Sequence, residues 1–324
     1  MILRPFLSNR PLVLLLLVPI IVGFQFLNAQ FHFHALIERV DLGLWGKTTF
    51  LSSWWTSIFA SAIVMANAIQ LNFLFNKHEF LDKNNYGPSL FYVVLMSFSH
   101  SFYQVDAVLI CHLFLLQSLR LLFQLKSNET NFTSAFNSAF FIGLSASFLP
   151  PSAALIIPFW FSAWALHPFS FRQWFLMIIG FLIPIGNGLT YWWISGHTIS
   201  TRILRHSSLI KYEDVFFYGT TATIVILFLL SIIGIQIRVR VSNIRFKKLN
   251  RALVWILVGT LLLGVAEIII YQQSEWVSML FIPLSFFFTF AFIHRIWQKV
   301  ASIFFYLALI IAVAKFFLIS YMVV

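Results

Sequence analysis

Charge is what this sequence has least of. Only 10% of its 324 residues are Asp, Glu, Lys or Arg, while 60% are hydrophobic; soluble domains carry roughly 25% charged residues. No water-soluble fold buries that much apolar surface, so the solvent of this chain is mostly lipid. Cysteine is nearly absent as well. The single Cys111 lies inside an apolar run, which excludes an intrachain disulfide and a metal site built on paired cysteines. A Gly-rich phosphate loop, a zinc-protease helix motif and a serine-nucleophile elbow are all missing. No internal repeat is strong enough to indicate an inverted-repeat transporter, and no low-complexity linker divides the chain.

What is present is a series of apolar runs separated by short polar stretches. They fall at about 12–28, 50–73, 88–103, 105–125, 135–149, 152–166, 173–194, 217–237, 252–271, 277–293 and 300–322. The complete spans approach the roughly 20 residues a bilayer requires. The fold class expected is therefore an all-α transmembrane bundle of about eleven spans. The first run could be a signal peptide, but it lacks a small-x-small cleavage pair and contains Pro19, so it reads as a retained span. Pro150-Pro151 closes a tight pair between runs five and six, because proline lacks the donor a continuing helix needs. Gly180, Pro184, Gly186 and Gly188 predict a kinked or closely packed seventh span. The connection 195–216 places Ile199, Ile203 and Ile210 near one helical face, as a helix lying in the interface would. It divides the chain into a seven-span bundle, residues 1–194, and a four-span bundle, residues 217–324.

The net charge of +11 does not mark a nucleic-acid binder, because the Lys and Arg residues sit in the short loops that fix orientation in a bilayer. With the amino terminus inside and the runs alternating, 15 of the 21 Lys and Arg fall on the inner side and five on the outer, and Lys315 lies within a span. Two sequons, at Asn128 and Asn131, then fall inside and read as chance matches. Trp54-Trp55, Trp192-Trp193 and Trp276 read as interface anchors. Glu267 and Lys315 each lie 15 residues into their spans, about 22 Å along a helix, which predicts an intramembrane ion pair, since an unpaired charge at that depth is costly.

On this topology the outer side collects the polar groups that chemistry would use. Loop one supplies His32, His34, Glu38 and Asp41. The hairpin 97–120 places Asp106 at a tip expected to meet water, with His100 and Gln104 before it. The 195–216 connection supplies His197, Arg202, Arg205, His206, Glu213 and Asp214. Carboxylates serve as general bases and arginines hold phosphate. Each group also has a plainer reading. Loop acids and histidines are commonly just solvated, and Asp106 suits the N-cap of the following helix. His32 and His34 lack a third ligand for a metal. His112, beside Cys111, reads as a buried hydrogen-bonded residue rather than a ligand.

This layout resembles the C-type glycosyltransferase superfamily of polytopic membrane enzymes, over roughly the first two-thirds of the chain. The resemblance rests on an acid in the first outer loop (Glu38 or Asp41), an acid at the tip between spans three and four (Asp106), and the texture of 140–184. It also rests on an outer loop after span seven with Arg202 and Arg205. It implies a glycosyltransferase, active or degenerate, that uses a polyprenyl-phosphate sugar at the outer face. Asp106, Glu38 and Asp41 would be the catalytic acids. Arg202, Arg205, His100 and His206 would bind substrate, and a divalent metal is a cofactor compatible with such a site. Here the loop-one acids are spaced ERVD rather than paired. The chain is also similar to a family of bacterial polytopic membrane proteins with no assigned function, which implies the bacterial inner membrane. The bilayer is then the one partner the sequence names; it identifies no protein partner. The competing classes are a non-enzymatic subunit or scaffold of an envelope assembly and, third, a transporter. A transporter predicts several mid-membrane ionisable residues, for which only Glu267 and Lys315 qualify.

Overall fold

The computed structural model describes residues 3–31, 39–49, 53–125, 131–168, 170–196, 210–271, 275–293 and 295–322. Among these the chain is helical, apart from one small hairpin. A short helix α1 (Leu3–Phe6) precedes a 3-10 stretch that runs into α2 (Leu17–Phe31). The hairpin strands β1 (Arg39–Asp41) and β2 (Lys47–Thr49) follow, then α3 (Ser53–Lys77), α4 (Gly87–Met96), α5 (Ala107–Leu122) and α6 (Phe132–Phe148). Next come α7 (Ile156–Leu166), α8 (Phe171–Ser195), α9 (Ile210–Val241), α10 (Ile244–Tyr271), α11 (Phe281–Phe290) and α12 (Arg295–Met322).

Two kinds of helix build the molecule. Six helical stretches are long and apolar enough to cross a membrane: 11–31 with α2 at its core, α3, α8, α9, α10 and α12. Much of their surface is exposed, through residues such as Phe26, Trp54, Leu182, Leu229, Leu262 and Ile303. By contrast, every residue of α4 and α11 is buried. A helix that is apolar all round belongs in an interior, and these two pack against each other at the centre. There Phe91 meets Phe288, Phe292 and Phe305 with ring centroids 5.3–6.1 Å apart. Helices shielded by protein need not match the bilayer's thickness, because irregular backbone is tolerated at membrane depth when protein covers it.

Contacts between distant segments sort into two ends. At the proximal end, where the chain starts, Tyr86 donates its amide to Phe6 O at 2.8 Å. The Arg238 guanidinium grips the exposed Asp82 carboxylate with two bonds of 2.7 Å. At the distal end Gln25 donates to Phe102 O at 2.9 Å, and Trp45 reaches the ends of α6 and α8. Successive helices from α2 to α12 run in alternating directions between these ends.

Close helix contacts follow from glycine. A Cβ on Gly143 of α6 would run into the carbonyl oxygen of Phe181 on α8, and one on Gly180 would run into that of Phe136. Reciprocal glycines thus let α6 and α8 approach backbone to backbone. The helix expected over 173–194 is accordingly closely packed against α6, and α8 continues through Pro184 to Ser195. At 150–155 the two prolines start a 3-10 stretch leading into α7, the position where a missing amide costs least. The predicted interfacial helix lies mostly outside the described residues, although α9 begins at Ile210, earlier than the apolar run suggests.

Candidate functional site

The third span was expected over 88–103, but α4 stops at Met96. The Ser97-Phe98-Ser99-His100-Ser101 stretch supplies competing hydroxyls. Ser97 Oγ donates to Val94 O at 2.7 Å, and Ser99 caps a short 3-10 turn, 100–102, by accepting from Ser101 N. Serine side chains offer backbone groups an alternative to helical partners, which is why helices end there. Asp106 then starts α5. Its Oδ1 accepts the amide of Leu109 at 2.7 Å, and its Oδ2 accepts the Ser101 hydroxyl at 2.6 Å. Both carboxylate oxygens are therefore engaged by the protein's own chain.

The hairpin tip does not meet water as expected. Ser101, Phe102, Tyr103 and Gln104 are buried and Asp106 is half-buried. The cover comes from α2 and α12. Phe24 meets Phe102 edge-on at 5.9 Å, Phe316 meets Tyr103 at 6.1 Å, and Lys315 donates its ammonium to Ser97 O. Sequence spacing finds the hairpin, but it does not show which other helices lean over its tip.

Loop one also docks at this end. Its hairpin pairs Asp41 with Lys47 and Arg39 with Thr49. Between the strands Gly43 adopts φ 64°, and a Cβ there would strike the carbonyl oxygen of Phe148, so only glycine fits the turn against α6. Trp45 Nε1 donates to Ser147 Oγ at 2.9 Å, and its ring stacks on Phe148 and lies 5.4 Å from Tyr191. The same end of α6 touches the start of α5, where Cys111 Sγ donates to Ser145 O at 3.3 Å. Asp41 and Asp106 thus stand at one end of the bundle, joined through α6. His100 opens the 100–102 turn and is half-buried. Glu38, His32, His34, His197, Arg202, Arg205 and His206 lie outside the described residues, as do the Asn128 sequon and the side chains of Asp41, Glu213 and Asp214. Among the described residues no group of three His, Cys, Asp or Glu comes together to hold a metal ion.

The expected Glu267–Lys315 pair is replaced by separate partners. Glu267, fully buried, accepts the amides of Glu275 at 3.0 Å and Trp276 at 2.6 Å. It thereby caps the turn that leads into α11. Lys315 instead serves the hairpin tip, with the rings of Tyr103 and Phe316 about its ammonium at 5.1 and 4.9 Å. Equal depth along two helices says nothing about the direction each face points. Trp276 is likewise buried rather than an interface anchor, whereas Trp54, Trp55 and Trp193 are exposed.

A second polar assembly crosses the interior, and sequence inspection singled out only one of its members. Asn67 Nδ2 on α3 donates to the Tyr92 hydroxyl on α4 at 3.3 Å. Tyr92 OH lies 3.0 Å from His112 Nδ1 on α5. His112 Nε2 lies 3.5 Å from Ser278 Oγ, which donates to Glu275 O at 2.7 Å. His112 is buried and hydrogen-bonded, as expected. The signal that went unused was the row of amides Asn67, Gln70 and Asn72 inside an otherwise apolar span.

At the proximal end burial pushes the His78 imidazole down to about 4, assisted by the positive charges of Arg245 and Lys77. Arg245 Nη2 lies 3.4 Å from His78 Nδ1. The hydrogen bonds from Arg238 hold the Asp82 carboxyl below its ordinary value. This end is a structural clamp between the α3–α4 loop and the α9–α10 turn. Comparison with protein-family models, with curated proteins and with solved structures gives no match, so what can be assigned to this chain rests on its own residues, which make it a helical integral membrane protein.

Proposed function

We propose that α2 to α12 are eleven membrane spans, with the amino terminus inside and the distal end outside, and that the chain acts at this outer end as a glycosyltransferase-like protein on a lipid-linked sugar. Support for the orientation comes from the basic residues of the 238–251 turn and the 77–83 loop, which gather at the proximal end. Chain direction and the contacts between distant segments agree with it.

The observation that carries the functional reading is the docking of loop one. Trp45 anchors the hairpin on α6 and α8, so the acid-bearing strand β1 is fixed at the end that also holds Asp106 and the last turn of α8. In this reading Glu38 or Asp41 takes the proton from an acceptor hydroxyl. Asp106 positions α5 through its cap. Arg202 and Arg205, with His100 and His206, hold the donor's phosphate, where a divalent metal would assist. The seven-span bundle, residues 1–194, is the catalytic module, and the four-span bundle supports it.

One observation favours the alternative of a non-enzymatic scaffold. Asp106 spends both carboxylate oxygens on its own chain, as a purely structural cap does. A transfer assay separates the two readings, using purified protein in proteoliposomes with a polyprenyl-phosphate sugar. The enzyme reading expects transfer that falls at least tenfold in Asp41→Asn or Glu38→Gln. Absence of transfer across donor sugars, or full transfer in both variants, overturns it. Reporter fusions after Lys248 and after Val324 should report inside and outside; an outside signal at Lys248 overturns the topology.

A further inference from the structure

The chain of hydrogen bonds from Asn67 to Glu275 has a directional logic beyond packing. Asparagine's Nδ2 can only donate, so the Tyr92 oxygen accepts from it. Tyr92 then donates to His112 Nδ1, which must carry a lone pair. The arrangement that gives every hydroxyl proton an acceptor makes His112 neutral with its proton on Nε2, toward Ser278, while Ser278 donates its own proton to Glu275 O. Every donor points the same way. The unexpected feature is at the start of the chain. Asn67 Oδ1 is buried and has no hydrogen-bond partner among the described residues, although the residue is fully enclosed. A buried acceptor left unpaired costs on the order of 1–3 kcal/mol, so the interior holds an unused acceptor beside a hydroxyl that can rotate.

We propose that His112 is a proton-binding site at the centre of the bundle, and that proton uptake reverses the Tyr92 arm of the chain. When a proton from water is added, an N–H bond forms at His112 Nδ1. That N–H donates to the Tyr92 oxygen, the Tyr92 hydroxyl turns to Asn67, and the Asn67 amide flips to present Oδ1. No other group changes its proton count. The imidazolium then has two satisfied donors: one arm ends on the Asn67 carbonyl and the other, through Ser278, on the Glu275 carbonyl. Charge-assisted hydrogen bonds are the stronger kind, and such networks gain from low dielectric when each member is satisfied.

The neighbours are compatible with a positive charge. Tyr92 and Asn67 face the ring from α4 and α3. Cys111 and Asp106 share its helix, and α6 contributes the neutral Ser145. Across the ring, the turn before α11 brings Ser278 and Glu275, and Glu267 of α10 accepts two amides of that same turn. α11 carries no titratable residue. The ring's own hydrogen-bond partners are uncharged hydroxyls, and the buried Lys315 serves the hairpin tip rather than this site.

The experiment is a titration of ¹⁵N-histidine-labelled full-length protein in lipid nanodiscs, followed by NMR from pH 8 to pH 5. The His112 signals are assigned by their loss in His112→Gln. At pH 8 one protonated and one unprotonated ring nitrogen are expected, with both protonated by pH 5. Asn67→Leu removes the terminal acceptor and should weaken proton affinity at least about tenfold, lowering the midpoint by a pH unit. Asn67→Asp supplies a stronger acceptor and should raise it. Opposite shifts from two substitutions at one position are not what general loosening produces. A His112 that stays neutral to pH 5 in the wild-type protein overturns the proposal, as does a midpoint unmoved by both substitutions.

Discussion

Replacing Asp106 separates a helix cap from a reacting acid. Two interactions are at stake: the Oδ1 bond to the Leu109 amide and the Oδ2 bond to the Ser101 hydroxyl. Loss of an N-cap costs typically about 1 kcal/mol, and a hydrogen bond to a charged group contributes about 1.5–3 kcal/mol. Asp106→Ala should therefore destabilise by about 2–4 kcal/mol. Asp106→Asn keeps an acceptor for Leu109 and can donate to Ser101, so its cost should stay below about 1 kcal/mol. The protein carries its own reporter, since Cys111 is the single cysteine, is buried, and sits on the helix that Asp106 caps. Reaction with a thiol-activated dye during a temperature ramp in detergent reads the exposure of α5. The Ala variant should react at clearly lower temperature, and the Asn variant close to wild type, with sugar transfer retained. An Asn variant as labile as Ala refutes the capping account. A stable but inactive Asn variant moves Asp106 from positioning residue to catalytic acid.

The same thiol assay tests three further expectations. His78 has its proton affinity depressed by burial, so the unfolded or detached loop binds a proton that the packed loop does not. The associated stability is present above pH 6.5 and is lost as pH falls toward about 4; about 2 kcal/mol should disappear between pH 7 and pH 5, and His78→Phe should flatten that dependence, whereas an unchanged slope contradicts it. Gly143→Val places a side chain against the Phe181 carbonyl and should separate α6 from α8, at a cost of about 1–3 kcal/mol, as for other overpacked contacts; a neutral substitution contradicts the backbone-to-backbone contact. Glu267→Leu removes the acceptor of two amides, at about 1–3 kcal/mol for the buried Trp276 amide and less for the part-buried Glu275 amide, while Glu267→Gln, which keeps one acceptor oxygen, should recover part of the loss. Equal effects of the two would mean that the cap contributes little.

Composition by itself determined the solvent of this protein. A chain with so few charges and so many apolar runs can only be organised by lipid, and the basic loops are the ground on which its orientation is proposed. Helix ends were also largely legible where serine, proline or aspartate interrupts an apolar run, because those residues act on their immediate backbone. Hydropathy could not separate the helices that face lipid from those that fill the interior, since both environments select the same apolar residues. That is why α4 and α11 looked like ordinary spans, and why Trp276 looked like an interface anchor. Nor could spacing along a helix reveal the direction of a side chain relative to its neighbours. Glu267 and Lys315 share a depth, yet the rotation of each helix sends one to the turn before α11 and the other to the hairpin tip. The hydrogen bonds among Asn67, Tyr92, His112 and Ser278 depend on four separate segments meeting at one level. Such a meeting is a property of packing, and only the tertiary structure decided it.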